Sequence, residues 1–374
     1  MKILFVMSHV PNPRMIKRIE LLEKKFDVEV IYVERHNSDM YTFDKKNITS
    51  YSLKLNLPTS KQVLRRIIAS IKYFFFILKK TRNKNYKIIY IEGLDTLILT
   101  QLCFFYKKVH CIFEVADLRE IYLKNTIKNK IINKIAEFFY KKINILVLTS
   151  EKFYSEYFYK YIAKNKIVVI PNIPEKKIFE GFKKKENEKF TVGFIGGIRY
   201  LNQIKMLIDV SEELDINILL AGAGGTKEEY QEIQSYCQNK ENVIITGKYD
   251  YQKEIKSLYE MVDCVYSVYD NTNLNVRIAL PNKLYESIYC ELPIIVAKNT
   301  YLEEIVNALG VGKAIENRKE LKILLENWKN KNKDYLEIIE NCKKNKKIIN
   351  IEEYNNNLIA KIKNNERRNF KNFE

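Results

Sequence analysis

Residues 191–225 read TVGFIGGIRYLNQIKMLIDVSEELDINILLAGAGG. An apolar run ends in Gly196-Gly197, an amphipathic stretch covers 203–214, and a second run, INILLAG, ends in Gly222, Gly224 and Gly225. Short β-branched runs read as strands, and the stretch of helical period between them reads as a helix. Strands this uniformly apolar are covered on both faces, which is the mark of a parallel sheet. The alternation continues with a helix over 227–238, NVIITG, a helix over 254–261, CVYSVY, a helix over 283–290 and PIIVA. Toward the N-terminus, KILFVMS, a helix over 14–25, VEVIYVE, IIYIE, CIFEVA, ILVLTS and KIVVIP repeat the pattern. The prediction is an α/β chain of two Rossmann-like doubly wound domains facing across a cleft at the carboxyl ends of both sheets. The charged, poorly periodic EKKIFEGFKKKENEK (175–189) reads as the linker. The domains are then 1–174 and 175–349, with a terminal helix over about 350–374 packing back on the first.

At 374 residues, and roughly 150 per domain, the length agrees with two domains. Hydrophobic residues make up 46% and charged residues 29%, which excludes a disordered, collagenous or coiled-coil chain. The net charge of +18 points to a polyanionic partner, or to a composition rich in Lys, Asn, Ile and Tyr. The lysines are spread along the chain rather than gathered in a stripe or a recognisable module, so nucleic acid is not the expected partner. Six scattered cysteines without a CxxC pair read as buried free thiols in a reducing compartment. With three histidines and no HxxxH or HxH, a histidine-rich metal site is not expected. No signal peptide is read at the N-terminus. The greasiest segment, 65–82, has an uninterrupted apolar core of only YFFFIL, far short of the about 20 residues a membrane helix needs. The expected location is cytoplasmic, peripheral on the inner face of the cell membrane.

The first strand–turn–helix, SHVPNPR, holds no glycine, so a nicotinamide dinucleotide site of GxGxxG type fails there. In the second half the glycines fall after the strands. There they either let backbone amides approach a phosphate beside a helix N-terminus, or simply make tight turns. The most informative segment is ALPNKLYESIYCELPIIV (279–296). Pro281 stops the preceding stretch, and Asn282 can serve as the N-cap of a short helix carrying Lys283 and Glu286 in its first turns. Lys283 there suits a diphosphate. Glu286 either accepts from two ribose hydroxyls or is a carboxylate favoured by the helix dipole. No DxD pair follows a strand, so a mechanism without metal or other cofactor is expected, with amides and basic side chains in place of magnesium.

These segments carry a resemblance. GFIGGIRYLNQIKMLI, LLAGAGG, VIITGKY, YDNTNLNVRIALPNKLYESI and PIIVAKNTYLEEIV are similar to the group 1 (family 4) retaining glycosyltransferases. The likeness is strongest to the branch of bacterial capsule and surface-polysaccharide clusters. NPRMIKRIELL, IYIEGLD, FEVADLRE and VLTSEKF extend it over nearly the whole chain, and PNKLYE is its most specific element. The resemblance implies a GT-B fold, a nucleotide-sugar donor on the second domain, an acceptor on the first, and no metal. It implies that Glu286 holds the donor ribose, that Gly196, Gly197, Arg199 and Lys283 line the diphosphate with Gly222 and Gly224 nearby, and that Gly247 and Tyr249 meet the base. Asn282 belongs to the same donor site.

The chain departs from the family pattern at three places. The earlier glutamate of the paired-glutamate motif falls at Ile278, leaving Asn273 or Asn275 to meet the transferred sugar. The Arg and Lys after the first glycine are out of register, with Arg199 the preferred replacement and Lys205 nearby. The first-domain His falls at Ala116, leaving Asp117 as a residue that orients the acceptor or caps the end of a strand. His9, Arg14, Glu92, Asp95 and Arg119 complete the expected acceptor side. A retaining transfer needs its leaving diphosphate stabilised, which Arg199, Lys283 and amides do electrostatically. UDP is the nucleotide the family most often uses, and the acceptor would be a polyprenyl-diphosphate-linked or other saccharide. Basic residues around YFFFIL and through 128–142 read as an anionic membrane surface, or as solvated lysines on buried helices. Two other functions share the architecture: a catalytically inert partner subunit, and a nucleotide-sugar 2-epimerase.

Overall fold

The computed structural model describes residues 1–35, 43–55, 63–123 and 126–371. The chain forms two compact units, one of residues 1–170 with 352–374 and the other of residues 171–351. It therefore crosses between units at 170/171 and 351/352, not at 174/175.

In the first unit the strands are β1 (Lys2–Met7), β2 (Asp27–Arg35), β3 (Thr49–Leu55), β4 (Ile88–Glu92), β5 (His110–Val115), β6 (Ile145–Leu148) and β7 (Ile167–Val169). Among the described residues they make one parallel sheet in the order β3-β2-β1-β4-β5-β6-β7. Residues 3–7 of β1 and all four of β6 are buried, as their unbroken apolar sequence requires. The helix Ile351–Lys371 belongs to this unit: Leu358, Ile359 and Ile362 are buried, and Lys361 Nζ donates to the Ile167 carbonyl (3.2 Å).

The second unit holds β8 (Thr191–Ile195), β9 (Asn217–Ala221), β10 (Val243–Gly247), β11 (Cys264–Ser267), β12 (Ile294–Ala297) and β13 (Gly312–Ile315). Their order is β10-β9-β8-β11-β12-β13, again all parallel among the described residues. Each sheet reverses its winding beside its first strand, β1 or β8, which is where open α/β sheets gather ligands at their carboxyl ends.

Two strands escaped the periodicity reading, TSYSLKL (β3) and GKAI (β13). Both are sheet edges and are partly exposed, so nothing selects an unbroken apolar run there. The segment 175–189 is no free linker. Its Phe179 is buried against the rings of Tyr259 (6.1 Å) and Tyr289 (5.9 Å). Asn187 Nδ2 donates to Asp263 Oδ2 at 2.9 Å, and Lys184 pairs with the same carboxylate at 3.1 Å. All six cysteines are free and buried.

Candidate functional site

In the second unit three parallel strands end side by side, and their following turns are tied together by backbone bonds. Gly196 N donates to the Ala221 carbonyl (2.7 Å) and Gly222 N to the Gly247 carbonyl (2.8 Å). Ile198 N bonds Ala223 O at 2.8 Å, and Gly225 N bonds Ile198 O at 2.9 Å. Gly222 has φ +145°, and a Cβ on it would lie 1.8 Å from the Gly196 carbonyl oxygen. No side chain fits there. Most of these amides are thus spent on the loops themselves, so at Gly196, Gly222 and Gly225 the tight-turn alternative is the one the backbone bonds favour. The Gly197 amide, on an exposed residue, is not used in this way. The following helix, Leu201–Leu214, has Tyr200 at its cap in the left-handed region (φ 60°) with no side-chain capping bond. Of its first-turn amides, that of Gln203 donates to the Tyr200 carbonyl (3.0 Å), which leaves those of Leu201 and Asn202 for an anion.

Against this turn sits Lys283. It opens the helix Lys283–Tyr289, all seven residues of which are buried. Its Nζ lies 2.6 Å from where a Cβ on Gly196 would be, and Gly196 itself adopts φ +142°. Among the described residues this ammonium makes no hydrogen bond and no ion pair. Burial pulls its pKa down, but Tyr269, Glu286 and Tyr249 outweigh that and leave it raised, so the group is charged at neutral pH. A buried cation without a hydrogen-bonded partner is costly, and an anion beside the glycine turn would offset that cost. Arg199 is exposed and lies over the next turn, its Nε 3.0 Å from the position of a Cβ on Gly225 and 3.8 Å from one on Gly197.

Glu286, one turn beyond Lys283, is fully buried. Its Oε1 accepts from the Tyr251 hydroxyl (2.7 Å) and Asn282 Nδ2 (2.5 Å), and its Oε2 from the Tyr259 hydroxyl (2.7 Å). Burial and then the Glu286 charge push both phenols up, Tyr259 strongly. Asn282 was expected to cap the helix. Its backbone is already helical (φ −59°, ψ −22°), so its side chain makes no cap and turns to Glu286 instead. A carboxylate offers about four acceptor positions, and three are filled here. A ribose diol binding through both hydroxyls has to displace Asn282 or the half-exposed Tyr251.

Asn273 also differs from expectation. Its Oδ1 caps the helix Leu274–Ile278, accepting from the amides of Asn275 (2.9 Å) and Val276 (3.4 Å), so only its amide group remains for a sugar. Gly247 ends β10 with φ +72°, and Tyr249 follows it half-buried. Gly224 is a packing glycine, since a Cβ there would lie 2.4 Å from the Thr226 carbonyl. Lys205 pairs with Glu232 at 2.7 Å on the surface and is not at the turn.

The first unit has its own polar centre at the ends of β1, β4 and β5. A cavity of about 300 Å³ is lined by His9, Arg35, Glu92, Asp117, Arg119 and Tyr122, among others. Arg14 bridges Glu92 and the buried Glu114 (Nε to Oε1, 3.1 Å). Arg18 pairs with the other Glu114 oxygen at 3.2 Å, and the Tyr90 hydroxyl donates to it as well. His9 Nε2 stands 3.3 Å from Glu92. Its pKa is opposed by burial but raised overall by Glu92, while Glu92, also opposed by burial, is lowered by His9 and Arg14. Of the expected acceptor residues, Asp95 is exposed and does not line the cavity. Sequence reading missed Glu114, Tyr251 and Tyr259. For Glu114 the signal was available, as a lone charge in the buried strand HCIFEV.

The two α/β units together define the GT-B class of fold. Residues 174–345 match the family model described as "Glycosyl transferases group 1". Among solved structures, the chain is similar to Anabaena Alr3699/HepE in complex with UDP (14% identity, 97% of this chain and 100% of that one, TM-score 0.72). It is equally similar to sucrose-phosphate synthase from Thermosynechococcus elongatus (12% identity, 99% of each chain, TM-score 0.72). It also resembles the UDP-GlcNAc 2-epimerase from Neisseria meningitidis bound to UDP-GlcNAc (13% identity, 97% and 99% of the chains, TM-score 0.60). No curated protein sequence matches.

Proposed function

We propose that this chain is a glycosyltransferase that moves a sugar from a UDP-sugar to a saccharide acceptor with retention, in bacterial surface-polysaccharide synthesis. The observation that carries the reading is the buried, unpartnered Lys283 ammonium against the Gly196 turn. A diphosphate is the ligand such a cation fits, since phosphate oxygens are strong acceptors of charge-assisted hydrogen bonds. The group 1 match over 174–345, and the UDP named for one neighbour, support a nucleotide-sugar as the diphosphate's source.

In this reading Lys283, the Gly197 amide and the exposed Arg199 receive the negative charge that develops as the bond from the sugar C1 to the diphosphate breaks. Glu286, held by Tyr259, takes a ribose hydroxyl. The acceptor oxygen bonds to C1 and passes its proton to the departing phosphate, so no separate base is needed and no metal is used. The acceptor, a polyprenyl-diphosphate-linked saccharide, is assigned to the first unit, with Asp117, Arg119 and the His9–Glu92 pair as its contacts.

The test is turnover of labelled UDP-sugars, with and without lipid-linked saccharide acceptors and with a chelator throughout. Acceptor-dependent release of UDP that persists in chelator is expected. Conversion of the UDP-sugar without any acceptor would make the chain an epimerase. UDP binding with no turnover on any pair would make it an inert partner subunit.

A further inference from the structure

We propose that the first unit docks on an anionic lipid bilayer through the outer side of its helices Val63–Thr81 and Ile127–Tyr140. This goes beyond the donor-site reading and does not depend on it.

The topology sets the surface. The connections from β3 to β4, β4 to β5 and β5 to β6 all step in one direction along the sheet. Right-handed crossovers therefore place Val63–Thr81, Leu94–Cys103 and Ile127–Tyr140 on the same face. The middle helix packs against both of the others, so the solvent sides of all three look the same way.

That solvent side is apolar. In Val63–Thr81 the core takes Ala69, Tyr73, Ile77 and Thr81, while Leu64, Ile68, Ile71 and Phe75 share the opposite helical face in water. Phe75 is 62% exposed. In Ile127–Tyr140 the core takes Ala136 and Tyr140, and Ile127, Ile131, Ile135 and Phe138 form a second exposed stripe, from 51% to 80%. Phe105 and Tyr106, just past the middle helix, are each 69% exposed. Scattered exposed apolar residues are ordinary, but a patch running across three neighbouring helices marks an interaction surface.

Charge identifies the occupant. The helix Val63–Thr81 carries Arg65, Arg66, Lys72, Lys79 and Lys80 and no acidic residue. Among the described residues, Lys72, Lys79, Lys130 and Lys134 take part in no ion pair. Lys142 stands 4.4 Å from the Phe105 ring and 4.8 Å from the Phe138 ring, which fixes a cation within the apolar patch. A second copy meeting this face on a two-fold axis would set lysine against lysine. A bilayer with anionic head groups supplies both an apolar layer for the stripes and negative charge for the unpaired lysines.

The full chain is to be sedimented with vesicles of phosphatidylcholine alone and of phosphatidylcholine mixed with phosphatidylglycerol. Binding to the anionic vesicles, weakened as salt is raised, is expected. The triple substitution Ile71→Ser, Phe75→Ser, Ile131→Ser should lower that binding at least about tenfold and leave the thermal response to UDP unchanged. Should the triple variant fail to melt cooperatively, Lys72→Glu with Lys134→Glu, both on exposed side chains, carries the same expectation. The proposal is overturned if the chain stays in the supernatant at low salt, or if a folded variant binds as tightly as the parent. It is equally overturned if the parent sediments as a dimer that the triple substitution dissociates.

Discussion

Replacing Lys283 by methionine separates a phosphate contact from a packing contact. Methionine keeps most of the buried aliphatic stem and removes only the ammonium. A hydrogen bond to a charged group contributes about 1.5–3 kcal/mol, and 1.4 kcal/mol is tenfold in affinity. UDP should therefore bind about 10- to 150-fold more weakly. At a concentration 100 times its dissociation constant, UDP stabilises the parent by about 2.7 kcal/mol. After a 100-fold loss the same concentration contributes only about 0.4 kcal/mol. The free variant should melt at or above the parent's temperature, because a buried charge with no hydrogen-bonded partner gives the folded state little. The assay is calorimetric titration with UDP and with uridine, beside thermal melts of the free chain. Uridine, which lacks phosphate, should bind both proteins alike. A folded Lys283→Met protein that binds UDP as tightly as its parent would refute the anion seat. Equal losses for uridine and UDP would move the effect from the phosphate to the shape of the site.

Gly222→Ala places a Cβ 1.8 Å from the Gly196 carbonyl at a φ of +145°, and should lower the unfolding free energy by about 2–4 kcal/mol in a denaturant titration. Tyr259→Phe removes a donor from the buried Glu286 carboxylate, and a loss of about 1.5–3 kcal/mol is expected; an unchanged midpoint would show that Glu286 does not need that donor. His9 has its pKa raised in the folded state, so its contribution is complete below about pH 6.5 and is lost as pH climbs through the higher folded value. The imidazole resonance of His9 should titrate above 6.5, and His9→Asn should remove that part of the stability–pH slope. Glu92, with its pKa lowered, acts in the opposite window, stabilising above about pH 4.5 and fading as pH falls through its folded value.

That Lys283 and Glu286 stand in the first turns of one short helix could be read from sequence, because Pro281 and Asn282 mark where that helix starts. The edge strands β3 and β13 could not, because their partly exposed positions carry no unbroken apolar run. Helix capping was misread at Asn282, where the backbone is already helical and the side chain is free to reach the carboxylate four residues on.

Most of the strand–helix alternation along the chain, the parallel character of the sheets and the glycines at strand ends follow from the sequence alone, since side-chain periodicity and the conformational needs of glycine act over a few neighbouring residues. Tertiary structure alone decided the partners. Tyr251 and Tyr259 meet Glu286 across 35 and 27 residues of chain, and Arg18 meets Glu114 across 96. It also decided that one helix, Val63–Thr81, buries one apolar face and leaves the other in water. Both depend on which strands pair and on the hand of the crossovers, which no local stretch of sequence encodes.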